Sequence, residues 1–101
     1  MISCMDHNVR GALEKILDLG VSDEFLKPYV EIYTDMKNEG AIDSVKSAVI
    51  GGVYNYFTNF YLSIKLDRRE RVSEEEWRDL LEIFLRRVPE IKSKIDILLN
   101  I

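Results

Sequence analysis

The sequence predicts an all-α protein, a bundle of four to five helices packed around a long central apolar helix at about residues 43–66. Three observations carry this. Eighteen consecutive uncharged residues run from Ser47 to Ile64 in a chain that is 32% charged. Elsewhere the apolar residues recur every three or four positions, with no sustained alternation of period two and no Asn-Gly or Asp-Gly turn. Helix-start and helix-stop residues punctuate these stretches and leave only short connections. At 101 residues the chain is sized for one helical domain, 1–101, with a single core.

Taken in order, Asp6 is placed to cap a first helix whose Val9, Leu13, Ile16 and Leu17 share a face, with Gly20 just past its end. Ser22 is placed to cap a second. Pro28 either opens the main part of that helix (28–39) after a separate short turn or kinks a longer one. Phe25, Leu26, Tyr29, Val30, Tyr33 and Met36 keep helical spacing up to the stop at Asn38-Glu39-Gly40. The link to the third helix is then Ala41-Ile42, with Asp43 as cap. So short a link makes the second and third helices antiparallel neighbours.

The third helix holds five of the ten aromatic residues: Tyr54, Tyr56, Phe57, Phe60 and Tyr61. At 100° per residue, one arc collects Ile42, Val45, Val49, Val53, Tyr56, Phe57, Phe60 and Ile64. The opposite arc is small and uncharged, and carries Ser44, Ala48, Gly51, Gly52, Asn55 and Asn59. A helix of this kind is expected to be covered on more than one side.

After the polar connector 67–71, Ser73 and Glu76 form an S-x-x-E capping box, and Val72 and Trp77 stand at the positions of a hydrophobic staple. Trp77, Leu80, Leu81, Phe84 and Val88 read as the core face of a fourth helix. Glu74–Arg78 and Glu82–Arg86 are spaced for ion pairs on the other face. Pro89 suits the first position of a fifth helix, on which Ile91, Ile95, Leu98 and Leu99 repeat.

Composition narrows the function. A net charge of -4 and a pI near 5.0 offer no general attraction to nucleic acid or to an anionic membrane. Residues 1–43 are net acidic, whereas residues 65–101 carry equal numbers of acids and bases. A single cysteine fits a reducing compartment, and with no basic-then-apolar leader visible a cytoplasmic protein is expected. Asn55, Thr58 and Asn59 in mid-segment argue against the central helix spanning a membrane. Absence of glutamine alongside many charged residues is a thermophile tendency.

Candidate chemistry is sparse. Cys4 and His7 are three residues apart but are the only Cys and the only His, whereas a zinc site takes three or four protein ligands. No metal and no cofactor is expected. Glu31 and Asp35 on the second helix and Glu75, Asp79 and Glu82 on the fourth are the acidic candidates. Glu76-x-x-Asp79 is similar to half of the E-x-x-E and E-x-x-D arrangement of helical magnesium-dependent nucleotide pyrophosphatases, but no E-x-x-E pair precedes it. That resemblance implies a nucleotide pyrophosphohydrolase as one alternative function. A second alternative is phosphate or nucleic-acid binding through Arg68, Arg69, Arg71, Arg78, Arg86 and Arg87. Acids interleaved among these arginines point instead to a solvated face. Tyr54, Tyr56 and Tyr61 could line a ligand pocket, although such a stripe also reads as plain core. The leading reading is a non-catalytic helical association module, a homo-oligomer or a small subunit of a larger assembly. Its expected interface is Ser44, Ala48, Gly51, Gly52, Asn55 and Asn59.

Overall fold

Capping chemistry fixes the helix boundaries in the computed structural model, which describes residues 6–100. Five helices follow one another: α1 (His7–Gly20), α2 (Asp23–Asn38), α3 (Val45–Asp67), α4 (Glu74–Leu85) and α5 (Val88–Leu99), with no strand among the described residues. Asp6 accepts from the Asn8 N–H at 2.7 Å to start α1. Ser22 accepts from the Phe25 N–H at 3.3 Å to start α2. Gly20, expected beyond α1, is instead its last residue and is buried. A Cβ there would stand 3.2 Å from Val53 Cγ1, so this glycine lets α1 approach α3 closely rather than turning the chain.

α2 runs unbroken through Pro28, whose ring removes one N–H from the helix ladder at an exposed position. The helix ends in a Schellman motif. Gly40, at φ 80°, donates to the Lys37 carbonyl at 3.0 Å, and Ala41 donates to Met36 at 2.8 Å. The cap of α3 is Ser44, accepting from the Ser47 N–H at 3.1 Å, and not Asp43; the connection is longer than the sequence suggested.

α3 is the central element. Val45, Val49, Val53, Phe57, Thr58 and Tyr61 are its buried residues, and α1, α2 and α5 all lie close along it. Leu13, Leu17, Leu26, Leu80, Ile83, Ile91 and Ile95 complete a core without exposed surface beyond 1%. α4 stands farther from α3 than the other three helices do, because rings fill the space between them. Phe84 meets Tyr54 edge-on at 4.9 Å between ring centres and Phe57 at 5.9 Å.

The core face of α4 is turned by about one position from its expected place. Glu76, Asp79, Leu80, Ile83 and Phe84 are buried, whereas Trp77 is 38% exposed and Leu81 is exposed. Glu76 takes an inward position on this face, where its carboxylate meets Tyr61 and Lys65, and Trp77 stands at the edge. The pairs Glu74–Arg78 and Glu82–Arg86 do not close; neither is among the ion pairs of the described residues. Pro89 falls at the second position of α5, after Val88.

Candidate functional site

The joint between α3 and α4 is the most polar part of the interior. Glu76 Oε1 accepts from the Ser73 N–H at 3.1 Å, closing the capping box that the Ser73 hydroxyl begins on the Glu76 N–H at 3.1 Å. Glu76 Oε2 accepts from the Tyr61 hydroxyl and sits 2.9 Å from Lys65 Nζ. Lys65 also lies 3.7 Å from Glu70 and over the Tyr61 ring at 5.9 Å. Burial by itself pushes the Glu76 carboxyl up, but the Tyr61, Lys65 and Ser73 hydrogen bonds outweigh it and bring the pKa down to about 2. The hydrogen bond to Glu76 raises that of Lys65, against the opposing effect of burial. A general acid or base works best with a pKa near the working pH. Both groups are held charged and matched to each other, so the cluster acts as a latch between helices.

A cleft of ≈ 220 Å³ opens beside this latch between the start of α1, the end of α3 and the start of α4. Asp6, Lys65, Arg68, Glu70, Glu75 and Glu76 line it with both signs of charge. The acidic residues singled out in the sequence do not gather. Glu31 and Asp35 are exposed on α2, Glu75 and Glu82 are exposed on α4, Asp79 is buried and Glu76 belongs to the latch. Among the described residues no group of three His, Cys, Asp or Glu side chains is placed to hold a metal ion. His7 is exposed at the start of α1, and Cys4 lies outside the described residues.

The six arginines divide. Arg87 turns toward α1, 2.8 Å from Asp18 and 3.3 Å from Glu14, and pairs with Glu90 at 2.9 Å. The Glu90 hydrogen bond is the largest influence on its pKa and raises it; burial opposes this, and the Asp18 hydrogen bond adds to the rise. Arg68, Arg69, Arg71, Arg78 and Arg86 are exposed, and none forms an ion pair among the described residues.

The small-residue stripe of α3 also divides. Ser44 is spent on the cap and Ala48 is half-buried. Gly52 faces inward: a Cβ there would lie 3.4 Å from both Tyr29 Cε1 and the Tyr33 hydroxyl, so α2 covers it within the same chain. Gly51, Asn55 and Asn59 are exposed, and a Cβ at Gly51 would meet nothing within 4 Å. At the same spacing the exposed stripe continues into Leu62 and Leu66, the latter 76% exposed.

α4 runs antiparallel to α3, with Tyr61 opposite Glu76 and Tyr54 opposite Phe84. Its own exposed stripe is Trp77, Leu81 and Leu85. The two stripes meet at a groove of ≈ 450 Å³ walled by Leu62, Leu66, Val72 and Trp77, with Arg71 and Glu70 at its rim. Helical spacing alone puts Trp77 and Leu81 in the core and ends the stripe at Asn59; the structure exposes both side chains and extends the stripe to Leu66. The signal for its extension was present in the Asn55, Asn59, Leu62, Leu66 spacing. Leu19, Ile32, Met36 and Ile97 are exposed elsewhere, and Leu99 of α5 borders a groove lined by Lys27, Glu31 and Asp35 of α2.

No protein-family model matches the chain, and neither a curated protein nor a solved structure shows significant similarity to it. Among the described residues no helix is long and apolar enough to cross a membrane.

Proposed function

We propose that the chain is a non-catalytic association module whose contact surface is the paired exposed face of α3 and α4. One observation carries the reading: Leu62, Leu66 and Trp77 stand exposed around one groove between α3 and α4, and Leu81 and Leu85 are exposed farther along the Trp77 stripe of α4. Scattered surface leucines are ordinary, but a contiguous apolar patch on a small domain marks a place where another surface docks. Tryptophan is moreover enriched among the residues that dominate binding energy at interfaces. The earlier interface is thereby revised. Gly51, Asn55 and Asn59 stay in it, Gly52 leaves it for the α2 contact, and Leu62 and Leu66 join it. The phosphate or nucleic-acid alternative is weakened by the commitment of Arg87 to three carboxylates.

The test is the double variant Leu66→Glu with Trp77→Glu, both exposed positions, so that helix content by circular dichroism is preserved. Association is read in two ways: as mass by light scattering on the purified chain, and as protein co-purifying with it from its own cells. The expected result is an association, by either route, that the double variant loses. Association unchanged by the variant, or none by either route, overturns the proposal.

A further inference from the structure

We draw no further inference here: the strongest candidate, the cleft between the start of α1, the end of α3 and the start of α4, belongs to the latch already described, where Lys65 and Glu76 are matched to each other and no buried polar side-chain atom among the described residues is left without a partner to meet a ligand.

Discussion

Glu76 shows how one side chain can serve three purposes at once. Its carboxylate finishes the cap of α4, accepts the buried Tyr61 hydroxyl, and neutralises Lys65. Because its folded pKa of about 2 lies below the ordinary 4.5, the unfolded chain binds more protons between these values. The stabilisation is complete above the ordinary value and is lost as pH falls toward about 2. A shift of this size corresponds to about 2–4 kcal/mol. Urea midpoints measured at pH 7 and pH 3 should therefore drop steeply for the natural chain. Glu76→Gln should begin lower at pH 7 and change much less across that interval. Equal slopes for the two proteins would mean that the latch contributes nothing. In the sequence, the capping box half of this cluster was legible from Ser73 and Glu76 alone. The other half was not, since nothing local says that Tyr61 and Lys65, more than ten residues earlier, would reach the same carboxylate.

At the scale of the helix, two stops of the same geometry use different residues. α2 ends at Gly40, φ 80°, and α3 ends at Arg69, φ 56°. Arg69 donates to Leu66 at 3.0 Å and Glu70 to Lys65 at 2.9 Å, the same pair of bonds seen at Gly40 and Ala41. The left-handed region costs a non-glycine residue roughly 1–2 kcal/mol, whereas glycine enters it freely but loses more backbone entropy on folding. Arg69→Gly should thus stabilise by roughly 0.5–1 kcal/mol, and Gly40→Ala should destabilise by about 1 kcal/mol. For a domain of this size the thermal midpoint moves about 4–8 °C per kcal/mol, so both shifts are measurable. A lower midpoint for Arg69→Gly would contradict this account. The sequence announced the Gly40 stop because glycine advertises it. It hid the one at Arg69, where an arginine sits in a connector that reads simply as polar. The same contrast separates Gly20 from Gly40: one serves a close approach and the other a turn, and only tertiary packing tells them apart.

Across the whole molecule, α4 is the helix set farthest from α3. α1, α2 and α5 come close enough to α3 for direct packing of their aliphatic cores, with Gly20 and Gly52 removing side-chain bulk at two of the contacts. α4 reaches the core through Leu80, Ile83 and Phe84 and is tied to α3 by the Glu76 latch, while its Trp77 side is open. Arg87, tied to Glu14 and Asp18 of α1, anchors the chain just after α4 and so holds α5 with the stable part. This division follows from α3 being apolar on several sides, which the uncharged run made evident. Which neighbour would be held at arm's length depends on where the large rings fall, and the repeating pattern does not reveal it. Helices that open locally lose amide protection at a smaller free energy than the global one. Amide exchange at neutral pH should therefore give α4 lower protection than α1, α2, α3 and α5, and Glu76→Gln should lower it further while leaving the α1–α3 amides near their natural values. Phe84→Ala, costing about 3–5 kcal/mol as a buried aromatic truncation, should act on the same helix first. If the amides of α4 exchange only with those of α3, through global unfolding, the five helices form one cooperative unit and α4 is not separately latched.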